Sequence, residues 1–323
     1  MRIVVVGAGL AGLTAARALN AGGHEVLVLD KGRSPGGRMA TRRIGGAVFD
    51  HGAQFFTVRG EHFASQVAAW ESDGLARVWC TGFTPGGDGY PRYVGTRGMN
   101  AIAKHVAAGL DVRCGQMVFA IRRAGAGRHG WDVVVDDGTV HAADAVISTC
   151  PLPQTFSLLF EADVDLPRVL VADDYERTLA LLTVLDGAST VPPPGGVQDA
   201  DGVFSFIGDN TAKGISTIPA VTFHARAGWS EAHWDGDRTA VHTALIDAAR
   251  PWIGSANIVE SQVKRWRFAT PCTPWPDPCW IAPEGSLVLA GDAFGGPRIE
   301  AAYDSGLAAA AALTASSASN AQR

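Results

Sequence analysis

Gly7-Ala8-Gly9-Leu10-Ala11-Gly12, with an acid further on at Asp30, is the group of residues whose types and spacing point most directly to chemistry. Glycines at that spacing let a backbone turn tightly at Gly7, approach a pair of phosphates at Gly9 and pack a helix closely on a strand at Gly12. A helix that opens there turns unpaired N–H groups and a partial positive charge toward the phosphates. Asp30, eighteen residues beyond Gly12, stands where a carboxylate accepts hydrogen bonds from a ribose. The chemistry implied is capture of a dinucleotide.

Such a loop needs a strand before it and a helix and strand after it, and the chain supplies them in order. Ile3 to Val6 is an apolar run, a helix is predicted from about Leu13 to Ala21 with Gly22-Gly23 ending it, and Val26 to Leu29 is a second apolar run. A secretory signal shares Arg2, an apolar run and small residues, but this run breaks at Gly7 and no A-x-A site follows. Next, Lys31 leads into Gly36-Gly37-Arg38-Met39, where two glycines let the backbone close around a ligand beside a planar guanidinium. A second Gly-x-Gly-x-x-Gly, Gly125 to Gly130, joins two predicted strands and opens no helix, so it is expected to be a hairpin loop.

Length and composition set the bounds. At 323 residues there is room for two domains or one large α/β unit, and 47% hydrophobic with 18% charged residues describes an ordinary globular chain. A net charge of -5 offers no basic face for nucleic acid or an anionic membrane, and no apolar run approaches the ~20 residues that span a bilayer. Cys80, Cys114, Cys150, Cys272 and Cys279 form no CxxC pair, which favours idle thiols in a reducing cytoplasm over disulfides, a zinc site or a disulfide-reductase centre. No metal is expected.

The segment Asp50-His51-Gly52-Ala53-Gln54-Phe55-Phe56-Thr57, together with Gly7 to Gly12 and Gly36 to Arg38, resembles the FAD-dependent amine-oxidase-like flavoproteins, and within them the renalase branch. Tyr93 to Asn100 before a helix ending near Ala107, Ala145 to Pro151, Arg265 to Pro271, and Leu287 to Asp292 resemble further family segments, so the likeness covers the chain strongly at both ends and weakly in the middle. It implies non-covalently bound FAD, since no cysteine lies between Ala293 and Gly306 to tether a flavin. Cofactor contacts are implied for Gly7, Ala8, Gly9, Leu10, Ala11 and Gly12, for Asp30 and Lys31, and for Gly36, Gly37, Arg38 and Met39. Gly52, Ala53, Gln54 and Phe55 would follow the flavin ring, Val118 would touch the adenine, Gly291-Asp292 would meet the ribitol, and Glu300-Ala301 would open a helix at the pyrimidine edge. Family members usually have Gly-Ala where Ala301-Ala302 stand.

The expected architecture is α/β, α+β overall, with a Rossmann-type FAD-binding domain of residues 1–58, 93–151 and 272–323. A substrate domain of residues 59–92 and 152–271 is expected to be an antiparallel sheet backed by helices, among them His62 to Trp70 and Thr239 to Ala249. Its apolar runs are Thr178 to Leu185, Val203 to Ile207 and Ile218 to His224, while residues from Ser316 onward read as a disordered tail. Within it Asn210 and His224 are expected at the substrate pocket with Gln54, and a lone histidine at a strand end is more often structural.

The chemistry expected follows from which bases the chain has. Amine oxidation in the wider superfamily often uses a lysine near the flavin, and the four lysines here are Lys31, Lys104, Lys213 and Lys264, of which Lys213 alone is a candidate, in a predicted loop. Hydride transfer from a dihydronicotinamide needs no base, because the ring nitrogen expels the hydride as aromaticity returns. The resemblance therefore implies oxidation of misreduced NAD(P)H isomers, the 2- and 6-dihydro forms, to NAD(P)+, with O2 as acceptor and hydrogen peroxide as product. A flavin oxidase or desaturase acting on a small amine or apolar substrate is the alternative. A non-catalytic binding protein on the same fold, as in Rab GDP-dissociation inhibitors, would have lost flavin contacts that Asp30, Arg38, Gln54 and Asp292 retain.

Overall fold

A computed structural model describes residues 1–84, 86–125, 130–172, 174–200 and 202–321, with side chains through 317. The chain forms two compact units, one of Met1–Gly37, Ala103–Asp174 and Pro271–Arg323, the other of Arg38–Ile102 and Tyr175–Thr270.

In the first unit the strand Arg2–Val6 lies between Glu25–Asp30 and Ala145–Ser148, parallel to both. Leu287–Leu289 extends the sheet beside Ala145–Ser148, Asp111–Cys114 extends it beside Glu25–Asp30, and the short Trp280–Ile281 adds an antiparallel edge. Ile3 to Val6 and Ala145 to Ser148 are buried without alternation, as parallel strands covered on both faces must be. The helix Leu10–Ala21 opens three residues earlier than expected, directly on the glycine turn, because Gly9 already serves as its N-cap. It crosses the C-terminal helix Ile299–Ala321 closely, and a Cβ on Gly306 would stand 2.3 Å from the Ala11 carbonyl. That helix also corrects the expected disordered tail, since its regular backbone runs on past Ser316 to Ala321. Arg17 donates to the carbonyls of Val106 at 2.7 Å and Ala108 at 2.7 Å, covering the open C-terminal end of the helix Asn100–Ala107. Val118–Arg123 and Trp131–Val135 pair antiparallel, as a hairpin requires, while residues 126–129 between them lie outside the described residues.

The second unit is built on a five-stranded sheet in the order Gly196–Gln198, Phe204–Asp209, Ala220–Ala225, Tyr175–Leu185, Ile258–Pro271. The pleat sorts its residues between two cores. Leu179, Leu181 and Leu185 pack with Val241, Leu245, Ala249 and Ile253 of the helix Arg238–Ile253, whose N-terminus Asp237 caps by accepting from Thr239 and Ala240. Leu182 and Val184 face the other way, onto Ile44, Ala47 and Phe49. Those residues belong to the hairpin Thr41–Ile44 and Ala47–Asp50, which turns at Gly45-Gly46, and the sequence pattern had not marked it. This packing explains why residues 38–102 fall in the second unit, where the sequence placed only 59–92 there; the second segment of that unit runs from 175 to 270, where the sequence placed 152–271. The hairpin buries its apolar face on the antiparallel sheet and clusters with it.

Candidate functional site

In the first unit the glycine loop has the geometry its spacing predicts. Gly7 has φ +112°, a conformation costly for other residues, and its N–H donates to Leu29 O at 2.8 Å. A Cβ on Gly12 would stand 2.0 Å from the Gly7 carbonyl, so helix and strand touch backbone to backbone. Gly9 differs from both. Its φ is -76° and a Cβ there would meet nothing within 4 Å, so neither conformation nor packing of the protein demands glycine. Close approach of another group to the helix N-terminus is a reason that remains, and that end has no side-chain cap. Asp30 accepts from Ala8 N–H and Gly32 N–H, each at 2.6 Å, which ties the second strand to the loop and leaves further lone pairs for hydroxyl donors. Gly36 N–H donates to Ala8 O at 2.9 Å, and a Cβ on Gly37 would be 3.2 Å from Gly9 Cα, so the second glycine pair lies against the first loop. Gly291, at the end of Leu287–Leu289 with φ +133°, donates to the buried Ser305 hydroxyl at 2.8 Å, and Asp292 follows it. Glu300 and Ala301 are buried at the start of the last helix, and Val118 is buried at the start of its strand. Lys31 directly follows Asp30.

The remaining expected contacts, Arg38, Met39, Gly52, Ala53, Gln54 and Phe55, fall in the second unit. They come together there: Ala53 N–H donates to Arg38 O at 2.8 Å, and a Cβ on Gly52 would be 2.0 Å from that same oxygen. Met39 is buried beside them in sequence, in the single turn Gly37–Met39.

Asp50, which the sequence had not singled out, is the hub of this unit. Its Oδ1 accepts from Thr41 Oγ1 at 2.6 Å and Met99 N–H at 2.8 Å, and its Oδ2 accepts from Lys213 Nζ at 2.8 Å. Neither side chain of this ion pair is exposed. Burial lowers the Lys213 pKa and the Asp50 carboxylate opposes that shift. Lys213, expected in a loop and considered as a base, is thus held away from solvent by a carboxylate. Asn210 is likewise fully buried: its Oδ1 accepts from Asp50 N–H at 3.3 Å and its Nδ2 donates to Thr222 Oγ1 at 3.0 Å. Thr222 Oγ1 in turn donates to Asp50 O at 3.0 Å, and Gln54 Nε2 donates to the same oxygen at 2.7 Å. Asn210 therefore anchors the segment instead of lining open space.

Two histidines complete the cluster. His224 Nε2 donates to His51 O at 3.1 Å, as does Trp266 Nε1 at 2.7 Å. The His51 ring stacks on Trp266 with centroids 5.2 Å apart. Burial pushes His51 down to about 4, with Lys264, His224 and Arg42 adding repulsion, and burial brings His224 to about 4 against the opposing bond to His51 O. Both rings are neutral at pH 7. Beside Gln54 stands an aromatic group, with Phe206 5.8 Å from Phe55 and 5.4 Å from Phe83. Sequence reading gave Thr222 and Trp266 no site role because their partners, Asp50 and His51, lie 172 and 215 residues away, and it gave none to Thr41, nine residues from Asp50 on the unmarked hairpin.

Two family models match the chain: an NAD(P)-binding Rossmann-like domain over residues 5–68 and the flavin-containing amine oxidoreductases over residues 68–177. Hydroxyneurosporene desaturase of Rubrivivax gelatinosus is 50% identical over 58 residues, 18% of this chain and 11% of that protein, so the match spans about a tenth of the relative's length. Among solved structures, putrescine oxidase superposes with a TM-score of 0.70 at 16% identity, over 98% of this chain and 99% of that one. An oxidoreductase from Methanosarcina mazei does so with a TM-score of 0.64 at 16% identity, over 95% of this chain and 99% of that one. At such identities the structures establish the fold, a Rossmann-like domain within a mixed α/β architecture. FAD is the cofactor that the flavin-containing family model and the glycine loop together support.

Proposed function

We propose that this chain, a member of the FAD-dependent amine oxidase superfamily, is a flavin oxidase acting on misreduced dihydronicotinamide dinucleotides, the 2- and 6-dihydro isomers, and returning NAD(P)+. One observation carries the choice of substrate: among the described residues, the polar cluster around Gln54 offers no uncommitted anion and only the weak bases His51 and His224, whose pKa burial lowers to about 4. Asp50 is committed to Lys213, Thr41 and Met99, Lys213 is buried against it, and His51 and His224 are neutral. An alkylammonium substrate needs a group to hold its charge or take its proton, whereas a neutral dihydropyridine expels hydride by restoring its own aromaticity. Lys264, whose charge reaches His51, makes the surroundings less hospitable to a cation.

FAD, held non-covalently, would supply the two-electron acceptor, with O2 as the final acceptor and hydrogen peroxide as the product. The protein's part is orientation: Gly52 and Ala53 present backbone, Phe55 and Phe206 present flat apolar faces, and Gln54 presents a neutral amide. The second reading, oxidation of a small amine or an apolar substrate, is favoured by the flavin-containing amine oxidoreductase match and by the aromatic group at Phe55, Phe83 and Phe206.

Anaerobic mixing of the yellow holoenzyme with borohydride-reduced NAD, beside pure NADH, separates these readings. Rapid loss of flavin absorbance with the isomer mixture and not with NADH is expected. Failure of the mixture to bleach the flavin, with bleaching by a small amine, would establish the second reading.

A further inference from the structure

A cavity of about 390 Å³ lies wholly within the second unit, between the strand Ile258–Pro271 and the start of the helix Arg238–Ile253. Val263 and Arg265, two apart on the strand, share one face of the sheet, and Trp266, which bonds His51 O, takes the other. Val263 packs with Leu179 and Val241, so its face is the one toward the helix. These three residues give the cavity an apolar wall. Arg238, Arg265, His233 and His242 give it a basic one, bordered also by Lys264. No carboxylate lines it among the described residues.

The neighbouring acids are committed elsewhere or stand apart. Asp237 caps the helix, accepting from Thr239 N–H at 3.0 Å and Ala240 N–H at 2.9 Å, and Glu231 pairs with Arg177 at 3.3 Å. Asp235, on the same turn, is not among the lining residues. Arg238 is exposed at the first position of the helix and has no carboxylate partner among the described residues. A cation there opposes the helix dipole, so Arg238 gains nothing from the helix it opens.

The other basic groups are already held in place. Arg265 donates to the Trp234 carbonyl, and its guanidinium lies over the Trp234 ring, 4.4 Å from the centroid. His233 Nδ1 donates to Trp229 O at 2.8 Å while its ring stacks on Trp229 with centroids 3.9 Å apart, which leaves Nε2 as the nitrogen without a protein partner in that bond. His242 Nε2 bonds Ser261 Oγ at 2.9 Å. Side chains fixed in this way lose little further freedom when a ligand arrives.

We propose that this cavity is a binding site for a small organic anion, its carboxylate or phosphate taken by Arg238 and Arg265 and its apolar body laid on Val241 and Val263. A guanidinium fork fits the paired oxygens of either group, and an anion would relieve the gathering of like charge that the protein itself leaves uncompensated. The volume falls in the range of small-molecule sites. This site is separate from the Asp50 cluster and does not depend on the dihydronicotinamide reading.

Isothermal titration calorimetry of the FAD-loaded protein with benzoate, phenyl phosphate and inorganic phosphate tests the assignment, with flavin absorbance followed in parallel. Benzoate or phenyl phosphate is expected to bind more tightly than inorganic phosphate and to leave the flavin spectrum unchanged. Arg238→Gln and Arg265→Gln should each weaken that binding about 10–100-fold, the worth of one charge-assisted hydrogen bond. Arg238 is exposed, so its variant serves even if Arg265→Gln, which also gives up the Trp234 contact, fails to fold. Absence of heat with both organic probes overturns the proposal, as does an affinity that Arg238→Gln leaves unchanged. Inorganic phosphate binding as tightly as phenyl phosphate removes the role of the apolar wall and overturns it too. A probe that shifts the flavin spectrum equally in wild type and variants occupies the flavin site, and the proposal falls.

Discussion

The glycine loop of the first unit and the Asp50 cluster of the second are both dense in hydrogen bonds, yet they are assembled in opposite ways. The loop is contiguous: Ala8 reaches Asp30 across 22 residues, and the elements between them are one helix and one strand. The cluster joins Thr41, Asp50, Gln54, Met99, Asn210, Lys213 and Thr222, with Thr222 and Asp50 separated by 172 residues. The loop works through backbone N–H groups, so it tolerates varied side chains and rejects added volume. The cluster works through side chains in a low-dielectric interior, so it tolerates little change of charge.

Adding volume to the loop should have the largest effect. Gly12→Val places a Cβ where the Gly7 carbonyl lies 2.0 Å away, and the purified protein is expected to be colourless, with flavin affinity down more than about 100-fold. Absorbance of the purified protein and titration with FAD would measure it. A yellow variant would sink the claim that volume is what the loop rejects.

Removing a charge from the cluster comes next. Lys213→Met leaves Asp50 buried without its partner and should destabilise the protein by about 3–5 kcal/mol, measured by denaturant unfolding. Adding Asp50→Asn to that variant should recover part of the loss. An unchanged unfolding midpoint in the single variant would mean the pair contributes little, and the contrast between the two regions would weaken.

The smallest effect is the pH response. His51 and His224 titrate at about 4 when folded and near the ordinary histidine value of 6.5 when unfolded. Between those values the unfolded chain binds more protons, so this stability is complete above pH 6.5 and is lost as pH falls toward 4. Melting temperature is expected to fall across that window, and His224→Asn should flatten the slope. An identical slope in the variant would show that other groups govern acid sensitivity.

Particular elements show where sequence reading succeeded. The first strand, the second strand and the helix Asn100–Ala107 lie within a residue or two of their expected bounds, because apolar runs and flanking glycines are local signals. The antiparallel strands Tyr175–Leu185 and Ala220–Ala225 were recognisable as apolar runs, though nothing in them announced their order in the sheet. The hairpin at Gly45-Gly46 escaped notice because Thr41 to Ile44 carries two arginines and reads as surface. That omission moved the expected domain division, since the hairpin brings residues 38–102 to the antiparallel sheet.

By itself, the order of residues determined the dinucleotide loop, the strand-helix-strand around it and the acid that closes it, because each bond there joins near neighbours. Tertiary structure alone decided that Lys213 is an ion-paired anchor and not a base, that Asn210 is interior and that Gln54 is held by the Asp50 carbonyl. A side chain's role in the interior depends on which distant groups share its space, and a buried carboxylate takes its meaning from the lysine that folding brings to it.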